Sequence, residues 1–158
     1  MEAQFLIAGF GGQGVLLIGQ LLAKAAMHDG MYVSWMPSYG PEMRGGEANC
    51  AVVISDQPVG SPLVTETPIA VIMNKPSMTK FAPTMEANGL MLYNSSLIDI
   101  TPDRTDITAV PVDCSGIAES LGNARVANMV MLGAIIERTH VVSIDSAMEA
   151  LKLTFGPK

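Results

Sequence analysis

Charge is scarce in this sequence of 158 residues. Lys, Arg, Asp and Glu make up 15%, against about 25% in ordinary soluble domains. Basic residues are scarcer still, nine against fifteen acidic ones, for a net charge of −6. An acidic chain with so few, scattered cations lacks the electrostatic footprint of a nucleic-acid binder, so no nucleic-acid partner is expected. Cysteine is nearly absent. Cys50 and Cys114 are the only two, and their separation excludes a disulfide framework and a Cys-x-x-Cys metal site. The start, Met1-Glu2-Ala3-Gln4, lacks the cationic region and apolar core of a secretion signal. The longest apolar stretch, Met129 to Ile136, is far short of the roughly 20 residues that span a bilayer. Without a signal, the Asn94-Ser95-Ser96 glycosylation pattern is a chance match. What is present is apolar: 49% of residues are hydrophobic, and Leu, Ile, Val and Phe together exceed the level below which disorder is the default. These features lead to the expectation of one soluble, reduced, cytoplasmic domain with a large core and no membrane partner.

Apolar periodicity orders the elements. Gln4 to Ala8 has strand length and ends in Gly9-Phe10-Gly11-Gly12-Gln13-Gly14; from Val15 the pairs Leu17/Ile18, Leu21/Leu22 and Ala25/Ala26 recur at helical spacing. His28-Asp29-Gly30 stops that helix. Met31–Met36 and Ala48–Ser55 read as strands around a loop rich in glycine and proline. Ile69–Met73 is a strand leading into Asn74-Lys75-Pro76-Ser77, where the proline suits a first helical turn. Gly89–Tyr93 and Thr108–Val112 are further strands. Val126–Ile136 is an apolar helix, and Ser146-Ala147-Met148-Glu149 matches a capping box that would open the last one. Strands alternating with helices, several of them apolar throughout, predict a three-layer Rossmann-like α/β domain with a mostly parallel sheet. The Ala48–Ser55 strand follows a loop and no helix, which allows it to run antiparallel.

The pattern Gly9-x-Gly11-x-x-Gly14 lies between a strand and a helix, where glycines permit a tight turn and the helix start offers free amides to a phosphate. A dinucleotide site also needs an acid at the end of the second strand. Val33-Ser34-Trp35-Met36-Pro37 has none, and Asp29 precedes that strand. This weighs against NAD or FAD and leaves a phosphate-bearing ligand, a neighbouring chain or a purely structural turn. In Ser38-Tyr39-Gly40-Pro41-Glu42-Met43-Arg44-Gly45-Gly46, Arg44 is the only fixed cation between Lys24 and Lys75. Its planar fork suits a carboxylate or phosphate, and a Glu42–Arg44 pair or a solvated arginine is the plain alternative. This loop, the Gly9–Gly14 turn, Asn74–Ser77 and Asp113-Cys114-Ser115-Gly116 all follow strands, so they are expected to meet at one sheet edge, where ligands of doubly wound sheets bind. Cys50 sits in a strand as a small apolar residue. Cys114 falls in a loop, with nothing basic beside it to activate a thiolate. His28 and His140 lie near helix ends, as capping residues. Asn128, on the apolar face of its helix, needs a hydrogen-bond partner.

Taken together, Gly9–Gly14, Ser38–Gly46, Asn74–Ser77 and Gly122-Asn123-Ala124-Arg125-Val126-Ala127-Asn128-Met129 resemble the gamma subunit of the 2-oxoacid:ferredoxin oxidoreductases. The form Tyr-Gly-Pro-Glu-Met-Arg-Gly-Gly is closest to the 2-oxoglutarate or branched-chain 2-oxoacid type. The likeness runs from residue 4 to the end, as one gamma-type domain over 1–158; chains of this kind usually continue past the point matching Phe155–Lys158. The resemblance implies a multi-subunit enzyme that decarboxylates a 2-oxoacid on thiamine diphosphate, passes electrons through iron–sulfur clusters to ferredoxin and transfers the acyl group to coenzyme A. Its implied partners are alpha and beta subunits and a ferredoxin-like delta subunit. The residues it implies at a cofactor or co-substrate site are Gly11, Gly12, Gln13 and Gly14, then Tyr39, Gly40, Glu42, Arg44 and Gly45, then Asn74 and Ser77. No catalytic residue or metal ligand is assigned.

Cluster ligation generally takes four cysteines, twice the number present, and no Gly-Asp-Gly begins a thiamine diphosphate motif. The redox chemistry is therefore expected in partner subunits, the isolated chain is expected to be inactive, and its share is to pack against them and help shape the coenzyme A or substrate site. Twelve methionines and few charges fit a surface covered by partners, although methionine is also adaptable core filler. The alternatives are a free-standing nucleotide-binding module and a non-catalytic structural subunit.

Overall fold

The structure, a computed structural model, describes residues 2–10, 14–39, 47–59 and 66–156. Six strands form one sheet: β1 (Glu2–Phe10), β2 (Tyr32–Tyr39), β3 (Glu47–Ser55), β4 (Thr67–Ile72), β5 (Met85–Asn94) and β6 (Thr108–Val112). Their spatial order is β2-β3-β1-β4-β5-β6. β3 runs antiparallel to both β1 and β2, whereas β4, β5 and β6 continue parallel from β1. The sheet is thus mostly parallel with one reversed strand, the strand that the missing crossover helix singles out. β2 lies at the edge, which explains how it holds Pro37 inside a strand, since an edge strand can forgo a ladder donor.

Five helices cover the sheet: α1 (Val15–His28), α2 (Lys75–Phe81), α3 (Cys114–Ser120), α4 (Ala127–Thr139) and α5 (Ile144–Phe155). Strand alternation divides the core. Phe5 and Ile7 of β1, Val71 of β4 and Leu92 of β5 pack with α1, α4 and α5, while Ala8, Ala70, Ile72, Met91 and Tyr93 pack with α2. Each half is buried because every central strand is apolar on both faces, and each large aliphatic side chain removed from water contributes about 1.5–3 kcal/mol. Three layers result. No helix among the described residues is long and apolar enough to cross a membrane.

Three local readings need correction. Asp113-Cys114-Ser115-Gly116 is not a loop: Asp113 caps α3 by accepting from the Gly116 N–H, and Cys114 is the first helical residue, fully buried. A seven-residue helix carries too short an apolar pattern to show in the sequence. The last helix opens on Ser143, whose hydroxyl accepts from the Ser146 N–H, so the capping residue lies three positions before the expected one. Strand β5 also begins earlier than Gly89, at Met85, through an irregular register that places Asn88 at φ 68°.

Ser146 is instead a buried link to α1. Its hydroxyl donates to Asp29 Oδ1 (2.5 Å) and meets His28 Nδ1 at 2.8 Å; Ser143 donates to the same carboxylate through its N–H (2.8 Å) and its hydroxyl (3.0 Å). Burial pushes the Asp29 carboxyl up, but the bonds from Ser146 and Ser143, with His28 nearby, outweigh it and hold the carboxyl below its ordinary value. The sign follows: a lowered folded-state pKa gives stability present above the unfolded value of about 3.9 and lost as pH falls through the folded one. Asp29→Asn should therefore flatten the acid limb of the stability–pH curve below about pH 4. Chemical denaturation from pH 3 to 7 checks this; an unchanged acid limb contradicts it.

Candidate functional site

Strands β1, β2, β4, β5 and β6 point the same way, so the segments after them leave from one edge of the sheet. β1 and β4 are direct neighbours there, with the Met73 N–H donating to the Ala8 carbonyl at 2.8 Å. Gly14, Tyr39, Asn74 and Ser77 all fall at this edge. Gly14 is the residue before α1, Tyr39 ends β2 opposite Ala48, Asn74 caps α2, and Ser77 lies in its first turn. Gly11, Gly12, Gln13, Gly40, Glu42, Arg44 and Gly45 lie outside the described residues.

The helix starts at this edge are not alike. α2 and α3 open on the side chains of Asn74 and Asp113, and α4 is entered through a 3-10 turn, Ala124–Val126, capped by Asn123. α1 has no such cap. Gly14 holds φ 75°, ψ 25°, a left-handed conformation that favours glycine, and offers no side chain to the first-turn amides. A 14-residue helix that no side chain caps among the described residues turns its first-turn N–H groups and the positive end of its dipole toward this edge, where they suit an anion. Asn128 of α4 stands against it: a Cβ on Gly14 would lie 2.2 Å from Asn128 Nδ2. The asparagine that the sequence marks as needing a partner thus packs on the glycine turn and brings a side-chain amide to the start of α1.

Beside this contact, Met73, Asn94, Leu97, Ser115, Arg125 and Asn128 line a cavity of about 190 Å³. Asn94, buried at the end of β5, accepts from the Ser96 N–H; the Ser96 hydroxyl donates to Asp113 Oδ1 and accepts from the Ser115 N–H. These bonds lock the ends of β5 and β6 into one wall. Exposed Arg125 supplies the cation. Neither Arg125 nor Asn94 stands out as a site residue in the sequence, because each is an ordinary polar residue until the fold brings it to the glycine turn.

Asn74 and Ser77 add a second signal. Asn74 Oδ1 accepts from the Ser77 N–H at 3.0 Å, but Asn74 Nδ2 and Ser77 Oγ are buried with no hydrogen-bond partner among the described residues. An unpaired buried polar group costs about 1–3 kcal/mol, so two of them three positions apart at one helix start mark a place built for more than packing. Ser77→Ala should accordingly leave the stability of the isolated chain unchanged or raise it by up to about 1 kcal/mol, as read from its denaturation midpoint. A loss of more than that would mean the hydroxyl already has a structural partner.

Neither cysteine fits a reactive or cluster-binding role. Burial pushes the Cys50 thiol up to about 12, outweighing bonds from Trp35 and the Gly19 backbone; burial and the Asp113 charge push Cys114 up to about 12 as well. At pH 8 the thiolate fraction is roughly one in ten thousand. Thiol reagents should therefore leave both cysteines untouched in the native chain and label both in denaturant, a contrast that mass spectrometry reads directly. Among the described residues, no three His, Cys, Asp or Glu side chains gather as a metal site.

Residues 4–158 match the family pyruvate ferredoxin/flavodoxin oxidoreductase. The chain belongs to this family. It is 43% identical, over 99% of its length, to ketoisovalerate oxidoreductase subunit VorA of Methanothermobacter thermautotrophicus, of which it covers 33%. It thus spans about a third of that relative. Among solved structures it resembles the gamma subunit of the keto/oxoacid ferredoxin oxidoreductase of Geobacter sulfurreducens, with a TM-score of 0.82 and 30% identity over 95% of this chain and 85% of that one. It also matches the 2-oxoglutarate:ferredoxin oxidoreductase of Magnetococcus marinus, solved with 2-oxoglutarate, coenzyme A and succinyl-CoA bound, at TM-score 0.89 and 25% identity, covering 98% of this chain and 27% of that one. The sequence resemblance and these matches agree: the homologues are subunits of 2-oxoacid:ferredoxin oxidoreductases.

Proposed function

We propose that this chain works as a gamma-type subunit in the conversion of a 2-oxoacid, coenzyme A and oxidised ferredoxin to acyl-CoA, carbon dioxide and reduced ferredoxin. Its site at the carboxyl edge of the sheet takes the phosphate-bearing part of coenzyme A. The observation that carries the site assignment is the start of α1, without a side-chain cap among the described residues and faced by Asn128. Backbone amides at that helix start suit a phosphate, and Arg125 offers a second positive contact. Tyr39, Gly40, Glu42, Arg44, Gly45, Asn74 and Ser77 belong to the same edge in this reading, with the unpaired donors of Asn74 and Ser77 waiting for an acceptor.

A dinucleotide fits less well. Asp29 precedes β2 and is engaged by Ser143 and Ser146 at the far end of α1. Thiamine diphosphate and the iron–sulfur clusters belong to alpha, beta and ferredoxin-like partners, since two buried cysteines cannot replace four cluster ligands.

In the assembled enzyme, Arg125→Ala and Asn128→Ala should each raise KM for coenzyme A, by about tenfold for the arginine, and leave KM for the 2-oxoacid within about twofold. Unchanged coenzyme A kinetics in Arg125→Ala, Asn128→Ala and Arg44→Ala together would point to a purely structural subunit.

A further inference from the structure

A second cavity lies elsewhere, between α2 and the segment that crosses from β5 to β6. It measures about 430 Å³ and shares no lining residue with the cavity beside Asn128. This size falls within the range of small-molecule sites. Its floor is Met78 and Ala82, both buried, and its walls include Pro83, Ile100 and Pro102. The walls are fixed by Arg104. The guanidinium donates to the carbonyls of Ala82 (3.0 Å) and Met85 (2.6 Å), and through Nε and Nη2 to the two oxygens of Asp106 (2.8 and 2.5 Å). Four of its five N–H donors are thereby engaged, and the crossing segment is bolted to the end of α2.

Charge decides what this pocket can hold. Arg104 is neutralised by Asp106 and turned to backbone carbonyls, so it offers little to an anion. Lys75 pairs with Asp99 at 3.0 Å. Asp103, on the pocket wall and exposed, has no hydrogen-bond or ion-pair partner among the described residues. A preformed apolar hollow whose one uncompensated charge is a carboxylate suits a ligand with a compact apolar body and a cationic head.

We propose that this pocket is a second ligand site, for a small alkyl- or arylalkyl-ammonium whose hydrocarbon part lies on Met78, Ala82 and Ile100 and whose ammonium pairs with Asp103. It stands independently of the coenzyme A assignment, because it uses other residues and is tested on the chain alone.

The test is a methyl NMR titration of the chain with n-hexylammonium and, separately, hexanoate, two probes of equal length and opposite charge. Hexylammonium should shift the Met78 and Ile100 methyl signals saturably and bind about fivefold more tightly than hexanoate. Met27 on α1 and Leu153 on α5, both exposed, report non-specific association. Asp103→Asn, a surface change that leaves the Arg104 bolt intact, should reduce the preference to within about twofold. The proposal is overturned if Met78 and Ile100 stay unmoved, if they move no more than Met27 and Leu153, if both probes bind alike, or if Asp103→Asn keeps the preference.

Discussion

Gly19→Ala is expected to destabilise the chain by about 2 kcal/mol, the reverse of what alanine usually does in a helix. Gly19 faces the sheet from the middle of α1. A Cβ there would lie 2.5 Å from the Cys50 sulfur and 3.0 Å from Trp35 Nε1, so α1 would have to lift from β2 and β3. Gly133, on the exposed side of α4, has nothing within 4 Å of its Cβ position, and Gly133→Ala should stabilise by up to about 1 kcal/mol. The pair of opposite signs separates packing from helix propensity. Cys50→Ala removes the nearest obstacle, so the double variant Gly19→Ala/Cys50→Ala should be less destabilised than the sum of the singles by about 1 kcal/mol. Equilibrium denaturation followed by Trp35, the only tryptophan, gives all four values. Strict additivity would remove close α1–β3 packing as the cause. Trp35 itself has no nitrogen or oxygen partner for its buried Nε1 among the described residues; it rests against Cys50, whose sulfur is only a weak acceptor.

Gly14→Ala should combine two losses. The left-handed backbone costs an L side chain about 1–2 kcal/mol, and the added methyl drives Asn128 away from the start of α1. Gly30 supplies the control: it has φ 81° and nothing within 4 Å, so Gly30→Ala meets the backbone cost alone. Both variants should therefore lose about 1–2 kcal/mol of stability, with Gly14→Ala the larger. Only Gly14→Ala should raise KM for coenzyme A in the assembled enzyme, by tenfold or more, as it disturbs both the free amides and the Asn128 amide. Equal stability losses together with unaltered coenzyme A kinetics would remove the Gly14–Asn128 contact from the site.

Both experiments turn on glycines whose roles the sequence shows unequally. Gly14 closes a turn pattern between strand and helix, so its conformational role is readable in advance. Gly19 lies inside a helical repeat, where sequence alone counts it as a weak helix former; the closeness of Cys50, 31 positions away, exists only once β3 is inserted beside β1. The strands at the centre of the sheet were legible because both faces are covered and their apolar runs are uninterrupted. α3 was not, because seven residues are too few for a repeat, and its cap, Asp113, looks like any loop aspartate.

By itself the sequence determined a charge-poor α/β domain, its strand order along the chain, one strand free to reverse, and the oxidoreductase family through four separated motifs. These depend on local apolar periodicity and on residues adjacent in the chain. The tertiary structure alone decided that Asn128 reaches Gly14, that Asn94, Ser115 and Arg125 share a cavity, that Asn74 and Ser77 are buried with donors unpaired among the described residues, and that Asp29 fastens α5 to α1. Each joins residues from different elements, and their distances follow from strand order and helix packing, which no local pattern encodes.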